Sequence, residues 1–145
     1  MQIQIKKLKN NAIIPTCGSK YSAGYDLYAA LDTDSVVIPA HATVKIGTGL
    51  SLALPEGYFG AIFARSGLAT KQGLRPANCV GVADCDYRGE YLVALHNDTD
   101  QPKAIANGDR IAQLVVLPCM TLDFEEVEEL SDTERGAGGF GSTGK

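Results

Sequence analysis

The sequence predicts an all-β fold, and three observations carry that reading. Short stretches of alternating apolar and polar residues recur along the chain, separated by turn signals at close, fairly regular spacing. No helical pattern of roughly ten or more residues interrupts them before residue 120, which disfavours a β-α-β architecture. At 145 residues, with 45% hydrophobic and 21% charged content, the chain is expected to form one globular domain with its own core.

Taken in order, residues 1–8 (MQIQIKKL) alternate as a first strand. No apolar run follows them, so they do not read as a signal peptide. Residues 10–21, with Pro15 and Gly18, are loop-like. Residues 23–30 (AGYDLYAA) alternate again, with Tyr25, Leu27 and Ala29 on one face and Asp26 and Tyr28 on the other. Residues 36–38 end at Pro39, and two short strands, 43–46 and 50–54, are split by Gly47-Thr48-Gly49. Pro55-Glu56-Gly57 is a turn, and residues 58–64 form a strand. Residues 65–73 (RSGLATKQG) fit two helical turns closed by Gly73. Residues 81–90 (GVADCDYRGE) lie between the apolar runs Asn78-Cys79-Val80 and Tyr91 to Leu95 and read as a β-hairpin. A period of 2 puts Val80, Val82 and Asp84 on one face, and Gly89 is expected to take a positive φ in the turn. A turn at 97–100 and Asn107-Gly108-Asp109 precede a long apolar strand, 110–117. There is no internal repeat.

Charge and tail composition narrow the function. Residues 123–134 (DFEEVEELSDTE) hold seven of the seventeen acids and no base, so outside them 13 Lys and Arg stand against 10 Asp and Glu. A mildly basic body suits a phosphorylated small ligand, and no basic stripe of the kind nucleic acid needs is present. No apolar run approaches the roughly 18 residues that span a bilayer, so a cytoplasmic protein with no membrane partner is expected. Cys17, Cys79, Cys85 and Cys119 show no C-x-x-C spacing and His41 and His96 lie far apart, which disfavours structural zinc and favours buried, reduced thiols. Residues 135–144 (RGAGGFGSTG) hold five glycines and too little apolar surface to fold alone. They read either as a frayed terminus or as a loop that orders on a ligand. In the second case glycine N–H groups and Arg135 meet phosphate, and Phe140 stacks on a base.

Five stretches now stand in order: AGYDLYAA at 23–30, RSGLA at 65–69, GVADCDYRGE at 81–90, GDRIAQLVV at 108–116 and RGAGGFGSTG at 135–144. Together they resemble the five ordered motifs of the trimeric dUTPases, across nearly the whole chain. Two departures stand out: Ala64, where many members carry proline, and Ala83, where Ile or Val is usual. Both are apolar and small, so they bear on packing rather than chemistry. The resemblance implies a distorted jelly roll, or β-clip, as catalytic core over residues 1–122. It implies an acidic tether and glycine-rich C-terminal arm over 123–145, and a homotrimer whose interfacial sites receive that arm swapped from a neighbour.

The activity so implied is Mg2+-assisted hydrolysis of dUTP to dUMP and pyrophosphate, by in-line attack of water at the α-phosphate. Asp84 matches the catalytic aspartate that orients and deprotonates that water, and Asp86 is read as supporting the turn. Arg65, Ser66 and Gly67 match the phosphate-binding motif, and Gln113 a further phosphate contact. Arg135, Gly141, Ser142 and Thr143 match the arm's grip on the γ-phosphate. Mg2+ is expected on the phosphates, keeping waters, with Asp26 matching the aspartate that holds one of them. Asn78 matches the uracil-binding asparagine, and backbone near Tyr91 is expected to pair with uracil O4 and N3–H. Cytosine reverses that donor–acceptor pattern. Tyr87 matches the tyrosine that packs on deoxyribose and excludes a 2′-hydroxyl, and Phe140 matches the ring that stacks on the base. Tyr21, Tyr25, Tyr28, Tyr58 and Tyr91 read as core or interface, and Arg110 as an ion-pairing residue of the trimer. Two other readings share the fold: a dCTP deaminase, which would release ammonia, and a nucleotide-gated binding module, which would release no pyrophosphate.

Overall fold

The computed structural model describes residues 1–139 and gives an all-β fold, a distorted jelly roll of four small antiparallel sheets and one short helix. β1 (Gln4–Lys7) pairs with β5 (Leu50–Ala53), and β3 (Ser35–Ile38) with β10 (Lys103–Ala106). The largest sheet runs in the order β2 (Tyr25–Tyr28), β11 (Arg110–Pro118), β6 (Tyr58–Phe63), β8 (Gly81–Ala83). The remaining sheet runs β4 (Thr43–Gly47), β9 (Leu92–Asn97), β7 (Leu74–Pro76).

The period-2 pattern accounts for the core. Leu27, Ile38, Ile46, Leu50, Leu95 and Ile111 turn inward from different strands and are fully buried in one cluster. Each such side chain contributes about 1.5–3 kcal/mol relative to exposure. Thr48, Ser51 and Asn97 are the buried polar residues, and Asn97 is fully used. Its amide nitrogen donates to the carbonyls of Ile38, Pro39 and Gln101, while its oxygen accepts from Thr99 N–H and Oγ1–H. The single helix, α1 (Ser66–Gln72), ends as the sequence predicts. Gly73 takes φ 65° and returns its N–H to the Ala69 carbonyl.

Three expectations need correction. The strands on either side of residues 84–90 do not pair as a hairpin: β8 pairs with β6, while β9 pairs with β4 and β7. Alternation assigns faces to a strand but does not name its partner. Gly89 is not among the positive-φ glycines. A Cβ there would run into the Tyr87 ring, so close approach is what requires it. The thiols are free but not buried: Cys17, Cys79 and Cys119 are exposed and Cys85 is half-buried, because all four sit in loops or just past strand ends. Beyond β11 the described residues form no strand or helix, and Met120, Phe124 and Leu130 are exposed by 84%, 92% and 87%. Residues 123–139 are thus largely exposed in the single chain and hold large apolar side chains off the core. Among the described residues no helix is long and apolar enough to cross a membrane.

Candidate active site

The site is built around residues 84–90, which several bonds pin to the β5 side of the core. Tyr87 N–H donates to the Asp84 carbonyl at 3.1 Å, forming the turn. Arg88 Nη1 donates to the carbonyls of Cys85 at 2.7 Å and Tyr87 at 3.0 Å. Arg88, and not the Asp86 side chain, therefore supports the turn. Ser51 Oγ donates to the Arg88 carbonyl at 2.8 Å, and Gly49 N–H to Glu90 Oε1 at 2.7 Å. Glu90 is a fixing residue that sequence reading passes over, although it closes the motif. Asp84 is exposed at the start of this loop, and among the described residues its carboxylate has no hydrogen bond or ion pair.

Where a hairpin would have closed, β8 and β9 instead leave a slot of about 160 Å³, lined by Asn78, Val82, Tyr87, Glu90, Tyr91 and Leu92. Backbone alternation explains which groups face it. Tyr91 N–H donates to Leu50 O and its carbonyl accepts from Thr48, so both its backbone groups are used on the β4–β5 side. The next residue along a strand points its N–H and C=O the other way. Leu92, rather than Tyr91, thus presents an unpaired strand edge to the slot. Asn78 enters from the turn before β8, with its amide packed over Gly81, where a Cβ would meet Ile62 at 3.1 Å and Asn78 Nδ2 at 3.5 Å. The Tyr87 hydroxyl donates to the Glu90 carbonyl at 3.0 Å, and its ring sits 6.0 Å from that of Tyr91 at 49°.

A second group of residues gathers at the far end of the large sheet. Gln113 of β11 faces Asp26 of β2 on one side and Phe63 of β6 on the other. That register brings Arg65, just past β6, onto Asp26: Arg65 Nε donates to Oδ1 at 2.7 Å, and Arg110 Nη1 donates to Oδ2 at 3.2 Å. The Arg110 ion pair thus lies within one chain. Gln113 Nε2 donates to the Ala64 carbonyl at 2.9 Å. Ser66 and Gly67 are exposed at the start of α1, whose first N–H groups have no intrahelical acceptor.

The two groups do not meet. β8 and β6 pair Ala83 with Gly60 and β8 ends there, so Asp84 leaves the sheet toward the Phe59 end of β6, and Phe59 is six residues from Arg65. At about 3.3 Å per residue, the separation is on the order of 20 Å. Arg135 joins neither group and donates from Nε to the Gly138 carbonyl at 2.9 Å. Phe140, Gly141, Ser142 and Thr143 lie outside the described residues. A larger cavity, about 510 Å³, is apolar and holds none of these side chains. No cluster of three or more potential metal ligands occurs among the described residues.

An open strand edge beside an asparagine, an aromatic ring and an unpaired carboxylate, with arginine and glutamine grouped elsewhere on the sheet, defines a nucleotide-handling protein of all-β class. The chain belongs to the dUTPase family, whose pattern matches residues 10–144. It is 48% identical over 144 residues to the deoxyuridine 5′-triphosphate nucleotidohydrolase of Corynebacterium glutamicum, covering 99% of this chain and 95% of that one. It is 48% identical over 141 residues to the protein of the same name from Arabidopsis thaliana, covering 97% and 82%. A point mutant of the Staphylococcus bacteriophage 80alpha dUTPase with dUpNHpp superposes with a TM-score of 0.90 at 31% identity, covering 99% of each chain. A mutant of the phage phi11 dUTPase, described for its coordination of a structural Mg(II) ion, superposes at 0.82 with 26% identity, covering 91% of this chain and 100% of that one.

Proposed function

We propose that this protein hydrolyses dUTP to dUMP and pyrophosphate, and the observation that carries the reading is the slot lined by Asn78, Tyr87 and Leu92, with the exposed Asp84 next in the chain to its Ala83 wall. Its strand edge offers one N–H and one C=O from Leu92, the complement of uracil O4 and N3–H. Asn78 adds a further amide, and cytosine would leave these groups mismatched. Tyr87 lies where the sugar of such a base would rest, and Asp84 is free to orient and deprotonate the attacking water. The relatives' shared name and the nucleotide bound to the phage protein support the substrate class.

The phosphate-binding set in this reading is Arg65, Ser66, Gly67 and Gln113, joined by Arg135, Gly141, Ser142 and Thr143, with Phe140 on the base. Arg65 and Asp84 lie too far apart in one chain to grip one triphosphate, so we place each site between subunits of a homotrimer. Residues 1–122 then form the core, and residues 123–145 carry the arm to a neighbour.

Mg2+ fits this donor set only as a guest of the substrate. No protein cage surrounds a metal among the described residues, and Asp26 is engaged by two arginines. Each Asp26 oxygen keeps a second lone pair, enough to hold one metal-bound water. When bound, the ion would neutralise phosphate charge. Nucleotide pools place such an enzyme in the cytoplasm.

The test is pyrophosphate release with Mg2+ from each common nucleoside triphosphate. Selective turnover of dUTP is expected, with a loss of at least about 100-fold in Asp84→Asn. Equal turnover of all nucleotides, ammonia release from dCTP, or an unimpaired Asp84→Asn would overturn the reading.

A further inference from the structure

Tyr91 combines three properties that burial alone does not account for. It heads the largest fully buried side chains, at 1% exposure, yet its hydroxyl has no hydrogen-bond partner among the described residues. A phenol is a poor choice for a purely apolar site, where Leu or Phe would leave no orphaned group. The residue borders the slot, and its ring lies 6.0 Å from the Tyr87 ring, tilted by 49°, within the geometry favoured for aromatic pairs. Ala83, 6% exposed, belongs to the same core cluster and lines the same slot. The dUTPase resemblance leads one to expect Ile or Val at 83.

Tyr87 itself is not fixed by burial, being 43% exposed. Its position comes from its bond to Glu90 O, from the bare backbone at Gly89, and from the Tyr91 ring. Of these, Tyr91 is the side chain anchored in the core. Burial pushes its phenol above the ordinary tyrosine range, so it remains a neutral packing surface at working pH. We propose that Tyr91 is a positioning residue for sugar discrimination: its core-anchored ring holds the Tyr87 ring at the setting that rejects a ribose 2′-hydroxyl. The inference rests on the dUTPase reading above and adds a residue to it.

The ring, not the hydroxyl, carries the effect, so two substitutions separate the possibilities. The measurement is the ratio of kcat/KM for dUTP to that for UTP. Tyr91→Phe keeps the ring and is expected to keep the ratio. Tyr91→Leu is expected to lower the ratio about 3- to 10-fold, the worth of one aromatic pair, mainly by improving UTP rather than by impairing kcat for dUTP. Because Tyr91→Leu also removes volume from that core cluster, the double variant Ala83→Ile, Tyr91→Leu adds volume back to it. It is expected to recover thermal stability without recovering the ratio. A ratio unchanged in Tyr91→Leu, one restored together with stability in the double variant, or one lost equally in Tyr91→Phe would each overturn the proposal. If the wild-type protein turns over dUTP and UTP alike, or neither, the dUTPase reading itself fails and this inference with it.

Discussion

Arg65 donates from Nε to Asp26 Oδ1 at 2.7 Å, and β-sheet register is what makes that contact possible. β11 places Gln113 between the two strands that supply the pair. With Arg110 on its other oxygen, Asp26 fixes the Arg65 guanidinium through Nε, and Arg65 Nη1 donates to the Arg110 carbonyl at 3.5 Å, which leaves Nη2 without a partner among the described residues. Both side chains of the pair are partly exposed, at 25% and 19%, so its stabilising contribution is discounted to about 1 kcal/mol.

Asp26→Asn is therefore expected to retain the fold and to weaken grip on the β- and γ-phosphates. The measurement is kcat/KM for dUTP beside the inhibition constant of dUMP. A loss of about 10-fold or more is expected in the first, with little change in the second, because dUMP lacks the outer phosphates. Equal losses in both would place Asp26 in the nucleoside slot instead.

Gly89→Ala tests the seating of Tyr87 from the backbone side. Gly89 has no positive φ, so alanine is not strained there, but its Cβ would strike the far end of the Tyr87 ring. A flexible side chain yields before backbone does. The variant should lose no more than about 1 kcal/mol of stability. Its dUTP-to-UTP ratio should nonetheless narrow by about 10-fold, as a displaced gate requires. An unchanged ratio in a folded Gly89→Ala would mean that Tyr87 does not discriminate sugars.

Much of this was legible in the sequence, and the gaps have physical causes. Residues 66–72 read as a helix because Gly73 supplies its left-handed stop, and β11 read clearly because its apolar run is long. β7 and β10 escaped notice, since three or four residues, one of them Pro76 in β7, give too short a pattern. The site residues were named by motif, but their grouping was not. That Asp26 meets Arg65, or that β8 and β9 part to leave a slot, depends on pairing between strands distant in sequence. The unpartnered Tyr91 hydroxyl has no sequence signal at all.

Tyr91→Phe removes that hydroxyl and should stabilise the ligand-free protein by about 1 kcal/mol, the cost of an orphaned donor. The effect should also depend on pH. Burial raises the Tyr91 phenol above the ordinary 10.0, so the folded state holds its proton more tightly than the unfolded state. Stability is therefore independent of this proton below pH 10.0 and falls as pH rises from there through the folded-state value, because the unfolded chain ionises first. Melting temperatures measured from neutral pH upward should fall more steeply in wild type than in Tyr91→Phe once the ordinary tyrosine range is passed. Parallel curves would show that the hydroxyl is solvated rather than orphaned.

The separation of Asp84 from Arg65 leads to the most demanding prediction. In one chain they stand near opposite ends of β6, on the order of 20 Å apart. In the proposed mechanism Asp84 acts at the α-phosphate, and the two remaining phosphates are too short to reach the Arg65 of that chain. The exposed Phe124 and Leu130 point the same way, since apolar side chains held off the core gain from a neighbouring subunit. If each site joins Asp84 of one subunit to Arg65 of the next, Asp84→Asn and Arg65→Ala chains should both be nearly inactive alone. Refolded together, they should assemble some sites from an intact Asp84 on one chain and an intact Arg65 on its neighbour. For random mixing in a cyclic trimer, about one site in four is complete, so recovery should approach a quarter of wild-type activity. The measurement is pyrophosphate release from dUTP after co-refolding, with mixed trimers confirmed by mass spectrometry. If mixed trimers form and activity stays at the level of the single variants, both residues must serve the same site from one chain. The β8–β6 register could not then persist in the working enzyme.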